Sequence, residues 1–272
     1  LARGTKLVFD HALVRIYGNI LLDGGTLEII NSKFIRKSDS HRACINVKDD
    51  YSRVIVEKCE ADCRNYGMFI RAEAGEVSVK DSNIYHTTRG AAIRFWGKRL
   101  DIERCSFSRC YSPEDGGAVM ARGGDGSIRD CRFTDCEARR GGAVFATDSI
   151  KLNKCHFTNC NVAEYGAAVF YSGIATEENS GFEYVACHPT GAEFVQVISR
   201  RGELKVSDEM FLNKSTIIDC PVYVETKGAL NILNASLYLN YPIRCAGSIN
   251  MKNARIICNY LQESDMLYLE NA

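Results

Sequence analysis

The stretch that decides the fold runs from Gly116 to Ala146 and reads GGAVMARGGDGSIRDCRFTDCEARRGGAVFA. Both of its ends carry the four letters GGAV, and between them lies the pattern Cys-x-Phe-x-x-Cys, at Cys131–Cys136. The same pattern recurs at Cys105–Cys110 and Cys155–Cys160, so successive copies lie 26 and 24 residues apart. Self-similarity at a period of this length is typical of solenoids, in which each repeat forms one turn.

Weaker copies of the repeat extend across most of the chain. Each keeps a small residue followed two positions later by an apolar one, and neighbouring copies mostly lie 19 to 27 residues apart. Their first residues are Ala12, Ser32, Cys59, Ser82, Ser180, Ser215, Ala235 and Ala254. Segments such as VIVEKC and IKLNKCHF alternate apolar and polar residues, which indicates strands rather than helices. Turns rich in Gly, Asp and Asn separate these segments, so each repeat predicts three short strands.

Stacking such three-stranded turns gives an all-β fold, a parallel β-helix of about ten to eleven coils. One sequence pattern resembles the right-handed parallel β-helix repeats of the pectin-lyase-like superfamily. It reads x-Ile-x-Asx-Cys-x-Phe-x-x-(Asn/Asp/Arg)-Cys and is followed by Gly-Gly-Ala-Val. It is most similar to the versions in bacterial surface and polymorphic outer-membrane proteins. The resemblance covers residues ~5–272, is sharpest over 80–172, and implies a fold far more than a function.

The resemblance also assigns roles within a coil. Segments such as SIRD and CRF would flank a two-residue bend, with Asn31, Asp81 and Asp130 stacked at a polar turn. In other coils Lys58, Arg104 and Lys154 occupy the same position. The segment GGAVMA would be the remaining strand, whose outer face binds substrate in the enzymes of the superfamily.

A single β-helix domain, residues 1–272, is the expected organisation. The spacing of 35 residues between Ser180 and Ser215 predicts an insertion within 187–214 that leaves the regular coil and borders the face near Trp96. Both termini read as strand, which leaves open end coils. We therefore expect neighbouring domains or self-association to cover at least one end, as in a segment of a longer protein.

Charge and hydropathy exclude several partner classes. Thirty-four basic residues balance 34 acidic ones, so the overall charge gives no reason to expect binding to nucleic acid. No apolar run approaches the ~18 residues of a membrane span. The resemblance implies a cell-surface or secreted protein, whereas unpaired cysteines suit a reducing or anaerobic setting, so the sequence leaves localisation open.

The chain contains 13 cysteines, and four of them share one position in successive coils. These are Cys59, Cys105, Cys131 and Cys155. Parallel side chains ~4.8 Å apart do not converge to disulfide geometry, so we expect a column of reduced, buried thiols that fill a tight bend. Tetrahedral zinc coordination requires convergence that a line of thiols lacks, and no Cys-x-x-Cys occurs. Neither a metal nor a cofactor is predicted.

Strands that follow the glycines suggest a binding face. If Ile70, Ile93, Val119 and Val144 point inward, the alternate residues form outward columns of arginines, aromatic rings and one methionine. The candidate binding residues are Phe69, Arg71, Glu73, Arg94, Trp96, Met120, Arg122, Phe145 and Phe170. Apolar surface bordered by charge is typical of a contact site, although a covering loop or a one-residue slip of the alternation would remove it.

Two functional classes remain open. The first is a non-enzymatic recognition or scaffold module that binds a glycan or a protein along this face. The second is a carbohydrate-active enzyme, a polysaccharide lyase or a glycoside hydrolase, but Glu73 is the one carboxylate among the outward strand positions. Glu114, Asp115, Asp125 and Glu164 are predicted in turns, where carboxylates are commonly solvated. No catalytic residues are therefore assigned.

Overall fold

The computed structural model describes residues 1–39, 43–147, 149–174, 179, 181–185, 187, 194–199, 203–258 and 267–269. Within these residues the chain is all-β and its strands pair in parallel, in a solenoid of about ten turns. This confirms the predicted fold class. The chain divides into two compact units, one of Leu1–Phe170 with Thr176–Glu193, and one of Tyr171–Ala175 with Phe194–Ala272. The expectation of a single domain stays a prediction.

Each regular coil of the first unit supplies one strand to each of three sheets. Sheet A comprises Lys6–Asp10, Thr26–Ile30, Arg53–Glu57, Glu76–Lys80, Arg99–Glu103, Asp125–Arg129 and Ile150–Asn153. Sheet B comprises Leu13–Ile16, Lys33–Arg36, Glu60–Asp62, Asn83–Thr87, Ser106–Cys110, Arg132–Thr134, His156–Thr158 and Glu183–Val185. Sheet C comprises Ile20–Leu22, Ile45–Val47, Ile70–Ala72, Ile93–Phe95, Val119–Ala121, Val144–Thr147 and Val169–Ser172. A short pair, Glu137–Arg140 and Asn161–Tyr165, lies between sheets B and C in two coils.

Parallel pairing in register places equivalent residues of successive coils in columns. Phe107, Phe133 and Phe157 form such a column in the core, with ring centroids 5.2 and 5.1 Å apart and ring planes nearly parallel. All three rings are fully buried. The Phe of the Cys-x-Phe-x-x-Cys pattern is therefore a core residue, and each repeat adds one ring to a continuous stack.

The bend between sheets A and B explains the cysteine column. Lys58, Arg104, Asp130 and Lys154 all adopt positive φ, between 49° and 53°, immediately before a buried cysteine. The Cys131 thiol donates to the carbonyl of Arg129 at 3.1 Å. Ser32 and Ser82 donate the same bond to the carbonyls of Ile30 and Lys80, at 2.6 Å each, which explains why serine replaces cysteine in those coils. The predicted polar turn and its cysteine column are thus present.

The paired glycines are required by the turn that enters sheet C. Gly116 and Gly141 have φ of 62° and 61°, a backbone conformation that residues other than glycine rarely adopt. A Cβ on Gly141 would lie 2.2 Å from the carbonyl oxygen of Val144, and one on Gly142 would lie 2.2 Å from that of Ala167. The glycine pair of the GGAV repeat is therefore a backbone requirement of the coil.

The second unit contains three sets of parallel strands and a buried cluster. One set is Phe194–Ile198, Ser215–Ile218, Ser236–Leu239 and Arg255–Cys258. The others are Leu204–Val206, Val222–Val224, Ile243–Cys245 and Leu267–Leu269, and Glu209–Leu212, Ala229–Leu233 and Ser248–Lys252. Leu230, Ile232 and Leu237 are fully buried in its core.

The predicted insertion within 187–214 requires correction. Phe194–Ile198, Leu204–Val206 and Glu209–Leu212 pair in parallel with the strands that follow them in the chain, so these residues belong to the coil. Apolar and polar residues alternate in these segments, as expected of strands. The 35-residue spacing between Ser180 and Ser215 did not reveal these strands. Residues 188–193 and 200–202 of the predicted insertion lie outside the described residues.

Candidate functional site

The outer face of sheet C carries one central column that links most of the candidate binding residues. Asn46 lies opposite Arg71, Arg71 opposite Arg94, Arg94 opposite Met120, and Met120 opposite Phe145. The flanking residues Ile70, Ala72, Ile93 and Phe95 are fully buried, which confirms the predicted inward set. Arg71 and Arg94 therefore project from the opposite face, as predicted.

Four of the candidate residues form an open part of this face. The Arg71 guanidinium contacts the Glu73 carboxylate at 2.6 Å, and Lys48 contacts the same carboxylate. Arg94 contacts Glu114 at 2.6 Å, and its guanidinium carbon lies 4.7 Å from the centre of the Trp96 ring. All of these side chains are partly exposed. The open part (Arg71, Glu73, Arg94 and Trp96) thus presents flat, charged and aromatic groups to solvent.

Phe69 was predicted on this face and lies in the core instead. Its side chain is fully buried and its ring meets that of Phe34 edge-on, with centroids 5.4 Å apart. Phe69 precedes the strand Ile70–Ala72, where the chain turns into sheet C. At such a turn the alternation of a strand does not yet apply, so counting back by two from Arg71 gave the wrong direction.

Met120, Phe145 and Phe170 project outward but are not exposed. Phe145 and Phe170 are only 5% and 4% exposed, and their rings stack with centroids 5.3 Å apart. Guanidinium groups cover them, since Arg122 lies 4.8 Å from the Phe145 centroid and Arg140 lies 4.9 Å from that of Phe170. The prediction of an exposed apolar surface is therefore wrong for this closed part (Met120, Phe145 and Phe170).

The Asp115 carboxylate holds this arginine cover in place. Asp115 has a side chain only 2% exposed, and Arg140 donates two hydrogen bonds to it, of 2.9 and 2.7 Å. Arg122 donates a third, of 2.6 Å, and Arg139 lies 3.5 Å away. Burial raises the pKa of the Asp115 carboxyl, but the hydrogen bond from Arg140 and the charges of the three arginines outweigh it, so the net pKa is lowered.

The sequence contained a signal for this cluster. Asp115 and Arg140 occupy the same position in adjacent coils, directly before the first glycine of each pair, and they lie opposite each other in register. Opposite charges at equivalent positions of neighbouring repeats predict an ion pair between coils. The interpretation of Asp115 as a solvated turn carboxylate is therefore wrong.

The described carboxylates that have a displaced pKa share one direction. A glycoside hydrolase requires a general acid with a raised pKa. Within the described residues, each carboxylate with a displaced pKa is displaced downward: Glu60, Glu73, Asp81, Glu103 and Asp115. In Glu73 the hydrogen bond from Lys48 is the main cause. These groups stay ionised near neutral pH and are poor proton donors.

The cysteine columns and the described acidic residues offer no site for a metal. Among the described residues, no group of three or more His, Cys, Asp or Glu side chains is arranged to hold a metal ion. The 13 cysteines are free thiols in the structure. Burial raises the pKa of the Cys155 thiol to about 12, so this thiol stays protonated and is a weak nucleophile. In the described parts of the chain there is no helix that could cross a bilayer.

Comparison with known proteins gives a family and no close relative. The family described as right-handed beta helix region matches residues 18–209, which is more than half of the chain. No curated protein and no solved structure matches.

Proposed function

Because the chain belongs to the right-handed β-helix family, whose regular coils present long flat sheets, we propose that it is a non-enzymatic recognition module. Its ligand is an acidic glycan that lies along the open part of sheet C. The observation that carries the proposal is the contact of Arg94 with Trp96, next to the equally outward Arg71. A guanidinium that lies over an indole ring suits a carboxylate or sulfate on a sugar whose apolar face contacts the indole.

The open part is held in position before any ligand binds. Glu73 contacts both Arg71 and Lys48, and Glu114 contacts Arg94. Each carboxylate orients a guanidinium on a rigid strand, so binding loses less side-chain entropy than it would with free arginines. Successive coils repeat at ~4.8 Å, and an extended polymer with a repeating charge can contact several coils at once.

Affinity electrophoresis tests this proposal. The protein migrates through gels that contain polygalacturonate, alginate or heparin, with neutral starch as the reference polymer. We expect retardation by at least one acidic polymer and not by starch. Arg94→Ala and Trp96→Ala should weaken it about tenfold, the loss of roughly one charge-assisted hydrogen bond or stacking contact.

Arg53→Ala is the matched control, because Arg53 lies on sheet A and forms a comparable exposed ion pair with Glu76 at 3.7 Å. Equal loss in Arg53→Ala and Arg94→Ala would show general charge attraction and contradict the proposal. The absence of retardation by all three acidic polymers would also contradict it and would favour a protein partner.

The enzymatic alternative is tested in the same samples. A lyase releases unsaturated uronates and a hydrolase releases reducing ends, and we expect neither to accumulate. Turnover that survives Glu73→Gln and stops with Glu114→Gln or Asp115→Asn would overturn the non-enzymatic assignment, since it would identify a turn carboxylate as catalytic.

A further inference from the structure

A second surface feature lies over the bend between sheets A and B. A cavity of about 410 Å³ opens there, in the size range of small-molecule sites. Four of its lining side chains are basic, namely Arg104, Arg132, Lys154 and His156. Ser106 and Asp130 also line it.

Two adjacent columns bring these residues together. Ser106, Arg132 and His156 lie opposite one another at the start of three successive strands of sheet B. Arg104, Asp130 and Lys154 are the positive-φ residues of the bends that precede those strands. The repeat thus gathers cations from three coils around one concavity, although they are far apart in sequence.

The basic groups differ in how far their charge is already neutralised. Arg104 is paired with Asp81 through two hydrogen bonds, of 2.7 and 2.9 Å. Nδ1 of His156 lies 2.8 Å from the Glu183 carboxylate. Among the described residues, by contrast, no carboxylate lies within ion-pair distance of Arg132 or Lys154, and neither side chain has a hydrogen-bond partner.

We propose that this cavity binds a phosphate or sulfate ester of a small molecule. Arg132 and Lys154 supply the unpaired positive charges, and the Ser106 hydroxyl and the His156 ring line the cavity beside them. A cavity of about 410 Å³ is larger than the oxyanion itself and leaves room for the group that carries it. Asp130 lies in the same lining and opposes an anion, which limits the affinity of the wild-type protein.

Isothermal titration at low ionic strength tests this inference with inorganic phosphate, inorganic sulfate, glucose 6-phosphate, glucose 6-sulfate and glucose. We expect at least one of the esters to bind and glucose not to bind. Lys154→Asn removes a charge and retains a residue that tolerates positive φ, and it should weaken the ester about tenfold. Arg132→Gln should have a similar effect.

Asp130→Asn should change the affinity for the ester in the opposite direction and is therefore the most discriminating variant. It removes the opposing charge and keeps the bend, so the affinity should rise several-fold. Lys58→Asn is the matched control for Lys154→Asn, since Lys58 has a similar φ at the equivalent bend, pairs with Glu57 and does not line the cavity. We expect it to bind the ester as the wild type does.

Several results would overturn the inference. These are no binding of any phosphate or sulfate compound, equal weakening by Lys58→Asn and Lys154→Asn, or weaker binding in Asp130→Asn. Binding of the free ions with no gain for the esters would contradict the ester assignment. Arg94→Ala should leave the titration unchanged, so this result is independent of the glycan proposed for sheet C.

Discussion

The open and closed parts of sheet C share one column of outward side chains, yet they present very different surfaces. In the open part, Arg71 and Arg94 stand in line with Asn46 and reach solvent. In the closed part, Phe145 and Phe170 continue the same column and are almost fully buried under arginines. The strands of both parts pair in parallel, but the turns that precede them differ. Gly67 and Gly90 have φ of 142° and 150°, whereas Gly116 and Gly141 have φ of 62° and 61°.

The comparison separates the direction of a side chain from its exposure. Strand alternation correctly places Phe145 on the outer face. Its exposure, however, depends on whether side chains such as Arg122 and Arg140 cover the ring. Asp115 supplies that difference, because it gathers Arg122, Arg139 and Arg140 in the coils of the closed part. The closed part is therefore a small outer core, and the open part is the portion of this column that reaches solvent.

The largest effect should come from removing a ring of the inner core, and a covered outer ring should approach it. Phe107→Ala empties a fully buried position and should cost about 3–5 kcal/mol of unfolding free energy. Phe145→Ala should cost about 2–4 kcal/mol, because its ring is covered on one side by guanidinium groups only. Urea denaturation checks both values. If Phe145→Ala changes the unfolding free energy by less than about 0.5 kcal/mol, the closed part is not a core.

Asp115→Asn should have an intermediate effect. The substitution leaves three arginines without their shared carboxylate, and we expect a loss of about 1–3 kcal/mol, less than for a fully buried pair because the arginines are partly exposed. The same variant should raise the exposure of Phe145 and Phe170, which binding of a hydrophobic dye would detect. Unchanged stability and dye binding would show that Asp115 does not hold the cover.

The difference in unfolding free energy between the wild type and Asp115→Asn should depend on pH in a defined direction. Folding lowers the pKa of the Asp115 carboxyl, so its stabilisation is fully present above the ordinary aspartate pKa of about 3.9 and is lost as the pH falls through the lower value of the folded state. The denaturation curves of wild type and Asp115→Asn should therefore differ near neutral pH and converge in acid. A difference that persists at acidic pH would contradict an electrostatic role.

The smallest effects on stability should come from the open part. Trp96→Ala and Arg94→Ala remove partly exposed side chains and should change the unfolding free energy by about 0.5 kcal/mol or less. Thermal denaturation beside Phe107→Ala provides the scale. A loss in Trp96→Ala comparable to that of Phe107→Ala would place Trp96 in the core.

The fold could be predicted from the sequence because the repeated residues form the turns and the core positions of each coil. In the most regular coils the bend cysteine and the stacked Phe recur once per coil, and small and apolar residues hold the same positions in other coils, so their period predicted the solenoid and the columns. Two properties were not predictable in the same way. The direction of Phe69 depends on the geometry of a turn, and the burial of Phe145 depends on arginines of two coils that converge on Asp115.

The central claim is that the open part of sheet C binds an acidic glycan, and Trp96 reports on it directly. It is the single tryptophan of the chain, so intrinsic tryptophan fluorescence arises from this position alone. Titration with an acidic oligosaccharide should give a saturable change in emission that Arg53→Ala retains and Arg94→Ala weakens about tenfold. Emission that acidic oligosaccharides leave unchanged, or that responds equally in Arg94→Ala and the wild type, would contradict the account.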